Sequence, residues 1–125
     1  MIVRHRKDLL DTAQHVETKI WSSTRVFIKN DNLGFSLHET IIDGNTEQTL
    51  WYKNHIEAVI VAEGTGEIVD LATGETHFLE PGSAYALTGD KHIFRAFERF
   101  VCYCVFVPGL NGDEIPDADG SYPAD

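Results

Sequence analysis

The chain has 125 residues, enough for one domain with a hydrophobic core and too few for two. Its formal net charge of −10 argues against a nucleic-acid partner, because phosphate binding needs clustered Lys and Arg. No apolar run is long enough to span a bilayer, and the N-terminal residues show no signal-peptide pattern, so we expect a cytoplasmic protein.

Strand patterns dominate the first half of the chain. Polar and apolar residues alternate at 23–29 and again at 35–43, which predicts two strands. The stretches at 31–34 and 44–47 are rich in Gly, Asn and Asp and are predicted turns. The one helix that the sequence favours is short and lies at 6–15.

The second half continues in the same way. The pattern predicts a buried strand at 55–64, a hairpin at 66–75, short strands around a Pro-Gly turn at 76–92, and one or two core strands at 93–109. Turns that recur about every ten residues are typical of an all-β sandwich or barrel. The polar segment 113–125 is either a lid or a frayed end.

The two cysteines, Cys102 and Cys104, lie two residues apart on a predicted strand. Their side chains point the same way, and the strand backbone does not favour a disulfide between them. For Cys102 the sequence favours a small buried hydrophobic residue with no chemical role.

The centre of the chain has a two-part spacing. Glu57 is followed by six residues and Gly64, and a later Pro-Gly turn at 81–82 precedes Tyr85 and His92. This layout resembles the cupin superfamily, in which the first motif ends in Glu, six residues and Gly. The second cupin motif has a Pro-Gly turn before a metal-binding His.

The resemblance to cupins implies a single domain over 1–125, all-β, forming one small jelly-roll-like barrel with at most short helices; 113–125 would be its polar tail or lid. Leu50, Trp51 and Tyr52 occupy the region where cupins normally supply two His. The common cupin metal site of three His and one Glu therefore cannot be assembled from this sequence.

A closer resemblance accounts for these departures. It rests on blocks in order along nearly the whole chain: MIVR, WSSTR, GFSLHET, YKNHIEAV, EGTGE, LEPGSAYAL, DKHIFRAF, CVFVPGLNG and DGSYP. Together they resemble the ectoine synthase family, whose members close the ring of the solute ectoine from γ-N-acetyl-L-2,4-diaminobutyrate with loss of water. The resemblance implies a homodimer and an Fe(II) centre, or another divalent metal, held by Glu57, Tyr85 and His92.

Each implied metal ligand also has an ordinary structural interpretation. A buried carboxylate such as Glu57 is costly unless a metal or a cation offsets its charge, but a Glu at a barrel mouth can also be hydrated or paired with Lys or Arg. His92 fits a surface or core position as well, and imidazole suits iron and zinc alike. Tyr85 fits a core aromatic residue whose hydroxyl finds a partner.

The resemblance implies catalytic roles for Thr40, Tyr52 and His55. Strand alternation places His55 on the same face as Glu57, where it can act as a base or bind substrate, or simply bond to a backbone carbonyl. Tyr52 is either a proton relay or barrel packing, and Thr40 either orients the amide or is an ordinary strand threonine.

The resemblance also implies a set of substrate contacts: Trp21, Arg25, Leu87, Cys104, Phe106 and Glu114. Arg25 can pair with the substrate carboxylate and Glu114 with its ammonium, although both side chains are commonly exposed in proteins. Leu87 is apolar wall under either interpretation, and an inert core strand would place Cys104 and Phe106 in the same way.

One departure from the family concerns the tail. Relatives have a His where this chain has Pro116, which has no titratable group. If that His transfers a proton, His55, Tyr52 or a metal-bound water must replace it here. The alternatives to a synthase are a cupin that binds a related small molecule without catalysis, or one that acts on another substrate.

Overall fold

Ten β-strands account for nearly all regular structure in the computed structural model, which describes residues 1–124. The strands are β1 His15–Glu17, β2 Trp21–Phe27, β3 Ser36–Ile42, β4 Thr46–Leu50, β5 Ile56–Glu63, β6 Gly66–Asp70, β7 Thr76–Leu79, β8 Ala84–Leu87, β9 His92–Ala96 and β10 Phe100–Val107. Two single 3₁₀ turns, Arg6–Asp8 and Lys29–Asp31, are the helical elements of the described chain. Within residues 1–124, no helix is long and apolar enough to cross a membrane.

The strands form two antiparallel sheets. One sheet has six strands in the order β1-β2-β3-β10-β5-β8, and the other has four in the order β4-β9-β6-β7. Both sheets contribute to one core, with Val59 and Cys104 from the first packing in the same cluster as Ile68 and Phe94 from the second. This arrangement confirms the predicted all-β, cupin-type barrel.

Strand β5 shows how the sequence pattern sets the inner face of the barrel. Side chains alternate along it, so that the buried ones are Glu57, Val59 and Val61 and the outward ones are Ile56, Ala58 and Ile60. His55, just before the strand, is also buried. Glu57, Val59 and Val61 therefore share the predicted inner face, while His55 is buried just before the strand begins.

Sterics explain why the residue that ends the first motif is a glycine. Gly64 follows β5 with φ +85°, and a Cβ added there would lie 2.1 Å from the carbonyl oxygen of Arg99. Any other residue would both strain the backbone and collide with the backbone of Arg99. The Glu-to-Gly spacing thus fixes where β5 turns and, with it, where Glu57 lies in the barrel.

The predicted helix at 6–15 is wrong. The chain makes only a 3₁₀ turn there, and then His15 begins β1 and pairs with Thr24 of β2, its Nδ1 lying 2.8 Å from the Thr24 hydroxyl. Within this stretch Leu9 is buried but Leu10 is not, so no apolar stripe supports a helix. Sheet pairing decides the local structure instead.

The predicted turn at 44–47 is only partly right. The structure has β4 from Thr46, in register with β9 from Thr46↔Ala96 to Leu50↔His92. This pairing adds an edge strand that the sequence reading missed. It also brings the chain segment around Leu50 next to His92.

The tail runs against the segment that follows β4. The Trp51 N–H donates to the Gly120 carbonyl, and the Asn54 amide donates to the Tyr122 carbonyl at 2.8 Å. Ser121 and Tyr122 are buried. The described part of the tail is thus packed, while a lid function concerns its motion and stays a prediction.

Candidate active site

A cavity inside the barrel gathers most of the predicted site residues. It is partly open to solvent and is lined by side chains from both sheets. The predicted residues that line it are Trp21, Thr40, Tyr52, Glu57, Tyr85, His92, Cys104 and Phe106. Pro116 from the tail lines it too.

Glu57 is a buried carboxylate with no cationic partner among residues 1–124. It lies on β5 between Phe106 of β10 and Leu87 of β8, and it is 6% exposed. Within residues 1–124 no Lys or Arg forms an ion pair with it. Burial raises the pKa of Glu57 well above its usual range, and the neighbouring Cys104 adds to this shift.

Tyr85 and His92 face the same cavity from different sheets. Tyr85 of β8 is two residues from Leu87, the partner of Glu57, and so lies on the same inner face. No protein group within residues 1–124 forms a hydrogen bond with its hydroxyl. His92 of β9 donates from Nδ1 to the Asp90 carbonyl at 2.9 Å, which leaves Nε2 as the nitrogen with a free lone pair.

These three side chains fit a divalent metal ion. A carboxylate lacking a counter-charge, a phenol oxygen lacking a partner and an imidazole fixed in the metal-binding tautomer by a backbone carbonyl are a suitable donor set. Within residues 1–124 no three His, Cys, Asp or Glu side chains gather as a metal site, so the set depends on the phenol of Tyr85. Three protein ligands leave positions open for a substrate.

Tyr52 has a buried phenol that lines the cavity. Its ring stacks on Tyr122 at 5.4 Å and meets Phe106 edge-on at 5.2 Å. Burial, and then the charge of Glu57, raises the pKa of Tyr52 well above its usual range. The phenol therefore stays protonated at neutral pH, so it can donate a hydrogen bond but is a weak acid.

The two cysteines are free thiols on the cavity wall. Their sulfur atoms lie 3.7 Å apart, and the Cys104 thiol contacts the Thr40 hydroxyl at 3.9 Å. The hydrogen bond with Cys102, followed by burial, raises the pKa of Cys104 well above its usual range. Cys104 is therefore a thiol rather than a nucleophilic thiolate. Cys102, interpreted from the sequence as inert core, also lines the cavity.

Four predicted residues do not line the cavity: Arg25, His55, Leu87 and Glu114. The carboxylate of Glu114 accepts hydrogen bonds from the backbone N–H groups of Asn111, Gly112 and Asp113, which fixes the tail loop. Leu87 packs in the core and lines a separate groove. His55 lies behind the cavity wall, edge-on to Phe106 at 6.0 Å and to Tyr122 at 6.3 Å.

Arg25 is buried rather than exposed, and it does not line the cavity. Its side chain is 0% exposed and donates to the Ser23 hydroxyl and to the carbonyls of Gly112 and Glu114, at 2.9, 3.1 and 2.8 Å. The guanidinium also lies 5.9 Å from the centre of the Tyr122 ring. Arg25 thus holds the tail onto the barrel.

Sequence reasoning missed four polar residues of the cavity: Ser23, His38, Gln48 and Tyr122. Gln48 lies on β4, a strand that was not predicted from the sequence. Strand periodicity could have found His38, because it lies two residues before Thr40 and so shares its face. Ser23 could have been found in the same way, because it lies two residues before Arg25, which was a predicted site residue. No sequence pattern could have identified Tyr122, since nothing in a polar tail indicates which residue turns inward.

Comparison with known proteins agrees with this geometry. The family model described as ectoine synthase matches residues 1–125. The chain is 46% identical to the L-ectoine synthase of Sphingopyxis alaskensis, over 100% of this chain and 92% of that protein. It is 48% identical to the L-ectoine synthase of Hyphomonas neptunium, over 100% of this chain and 95% of that protein.

A solved structure matches as well. The crystal structure of ectoine synthase from P. lautus superposes with a TM-score of 0.85 at 45% identity, covering 90% of this chain and 81% of that one. Similarity at this level over the full chain, together with the barrel and its cavity, settles the family. The chain belongs to the ectoine synthase family.

Proposed function

We propose that the chain closes γ-N-acetyl-L-2,4-diaminobutyrate into the cyclic amidine ectoine, with loss of water. The observation that carries this proposal is the buried Glu57 carboxylate, which lacks a cation and shares a small cavity with Tyr85 and His92. Family membership over the whole chain supports the same reaction.

The reaction balances without an outside reactant. The α-nitrogen forms a bond to the acetyl carbon, and the bond from that carbon to the acetyl oxygen breaks. Both hydrogens of the departing water come from the substrate's ammonium group. The protein therefore has to relay protons between two atoms of one molecule, and it gains or loses none.

Glu57, Tyr85 and His92 would hold Fe(II) or another divalent metal, as their donor atoms allow. When bound, such an ion supplies Lewis acidity toward the acetyl oxygen. The chain's own part is to present the three donors from β5, β8 and β9 while the surrounding wall limits access of water.

The remaining cavity residues position the substrate. A substrate bound in this cavity would be held curled, with its amine and its amide carbon close together. Tyr52, which stays protonated, can donate to the departing oxygen. Trp21 and Phe106 supply apolar wall that keeps the reacting atoms away from solvent.

The test of this proposal is turnover. We expect protein loaded anaerobically with Fe(II) to convert γ-N-acetyl-L-2,4-diaminobutyrate, seen by proton NMR as the acetyl methyl signal being replaced by the amidine methyl signal. Metal-free protein should show little conversion. Binding of substrate or ectoine without conversion would instead support the non-catalytic alternative, and conversion of a different amide would indicate an altered substrate.

We further propose that the protein is a homodimer working in the cytoplasm, where its two free thiols remain reduced. The outer face formed by β5, β8 and β10 in the six-stranded sheet is apolar. Ile60 lies opposite Tyr103 and Ile56 opposite Val107, and both isoleucines are 51% exposed. Ala84 and Ala86 of β8 extend this face. A continuous apolar surface of this kind favours contact with a second copy.

Ile60→Glu should therefore weaken dimerisation, because a charge would be desolvated at the centre of the apolar face. Light scattering after size exclusion should give the mass of a dimer for the wild type and of a monomer for the variant at micromolar concentration. Leu71→Glu, which changes an exposed leucine in the turn after β6, is the matched control. A wild-type protein that is monomeric throughout would refute the homodimer.

A further inference from the structure

A buried imidazole lines the cavity at a distance from the proposed metal ligands. His38 is 1% exposed and lies on β3, where it pairs with Arg25 of β2 and with Cys104 of β10. In the sheet, β10 separates β3 from β5, so the backbones of His38 and Glu57 are on strands about 10 Å apart. The two side chains therefore reach the cavity from different parts of its wall.

The hydrogen bonds of Ser36 define the tautomer of His38. The Leu110 N–H donates to the Ser36 oxygen at 2.9 Å, and His38 Nε2 lies 2.9 Å from the same oxygen. Ser36 is fully buried, and Nε2 is the one acceptor within residues 1–124 that its hydroxyl proton meets. A satisfied Ser36 therefore donates to Nε2, which leaves the ring proton of His38 on Nδ1.

The ring is neutral and its remaining N–H is available to a ligand. Burial, followed by the charge of Arg25, lowers the pKa of His38 well below its usual range. Nδ1 has no hydrogen-bond acceptor within residues 1–124, although His38 lines the cavity. His38 Nδ1 is not among the fully buried atoms that lack a partner, so it keeps accessible surface, and a ligand in the cavity that His38 lines can supply its acceptor.

The surroundings of His38 favour an anionic acceptor. Arg25, its cross-strand neighbour, donates only to hydroxyl and carbonyl oxygens within residues 1–124, and no carboxylate there forms an ion pair with it. The carboxylate of Glu57 is two strands away. This side of the cavity is thus electropositive, while the side with Glu57 requires a cation.

We propose that His38 binds the α-carboxylate of the substrate, with its Nδ1–H donating to a carboxylate oxygen. The identity of the substrate rests on the proposed function. That substrate has two strong acceptors, and its acetyl oxygen belongs beside Glu57, Tyr85 and His92. The carboxylate is left for the electropositive side, so His38 selects for ligands that carry an acid at this position.

The test compares two ligands that differ only in the carboxylate: ectoine and 2-methyl-1,4,5,6-tetrahydropyrimidine. Calorimetry on the metal-loaded protein should show His38→Phe weakening ectoine binding by about 10- to 100-fold and the carboxylate-free amidine by less than about 2-fold. His38→Asn, which keeps an N–H donor, should retain most of the affinity for ectoine. Equal effects on both ligands, or no effect on either, would overturn the proposal.

A measurement on the wild type removes any dependence on the folding of a variant. In protein labelled with ¹⁵N-histidine and loaded with diamagnetic Zn(II), NMR should show His38 protonated on Nδ1, with that proton moving downfield on addition of ectoine only. Protonation on Nε2, or no response to ectoine, would overturn the proposal. A wild type that binds neither ligand would overturn it as well.

The outcome is separable from that of the proposed function. Ectoine binding through His38 without turnover of γ-N-acetyl-L-2,4-diaminobutyrate would keep the inference and reject ring closure. Turnover with no contribution from His38 to carboxylate selectivity would keep ring closure and reject the inference.

Discussion

Replacing Glu57 with Gln is expected to lower turnover by at least about 10³-fold, because it removes the one charged donor of the proposed metal site. The substitution keeps the size of the side chain, so the barrel should remain folded. The buried carboxylate lacks a cation within residues 1–124, and its desolvation is costly when no metal is bound. Metal-free Glu57→Gln protein should therefore be at least as stable as the metal-free wild type.

The matched control is Glu63→Gln on the same strand. Glu63 is exposed and paired with Arg99, and such a pair contributes little. Turnover by NMR, metal content by elemental analysis and urea midpoints with and without metal give the comparison. Full activity or unchanged metal content in the Glu57→Gln protein would remove this residue from the site.

Arg25→Met is expected to release the tail and with it most of the activity. The guanidinium donates to the carbonyls of Gly112 and Glu114, so its loss leaves these acceptors without a partner and costs on the order of 3 kcal/mol of stability. Tyr122 and Pro116 would then leave the cavity wall. Hydrogen exchange should show faster exchange in 111–124 than in the wild type, where this segment is packed.

Two further variants make the Arg25 prediction specific. Arg25→Lys keeps the charge but not the fork of donors, and should give an intermediate effect. Arg99→Met changes an exposed arginine in an ion pair with Glu63 and should alter stability by less than about 1 kcal/mol. An Arg25→Met protein whose tail remains protected from exchange would contradict the anchoring role.

The strands of the fold were predictable where the alternation of buried and exposed residues depends only on the local sequence. Strand β5 shows this, because its two-residue period separates Glu57 and Val59 from Ile56 without any knowledge of neighbours. The helix expected at 6–15 failed because pairing of His15 with Thr24 depends on residues distant in sequence. The missed strand β4 lies at the edge of its sheet and pairs with β9.

Site residues were predictable where a family motif places them on the inward face of a strand. Glu57, Tyr85 and His92 come from three strands in two sheets, and only the resemblance linked them. The sequence could not place Arg25, because a buried arginine requires carbonyl acceptors from a tail nearly 90 residues later in the chain. Glu114 was predicted to contact the substrate. In the structure its carboxylate instead accepts hydrogen bonds from the backbone of its own loop.

The most direct test of the proposed ring closure follows the acetyl oxygen. Substrate labelled with ¹⁸O in the acetyl carbonyl should give ectoine without the label, and the ¹⁸O should appear in the released water, as mass spectrometry can show. Label retained in the organic product would mean that the bond from the acetyl carbon to its oxygen is not broken. That result would contradict cyclodehydration by this protein.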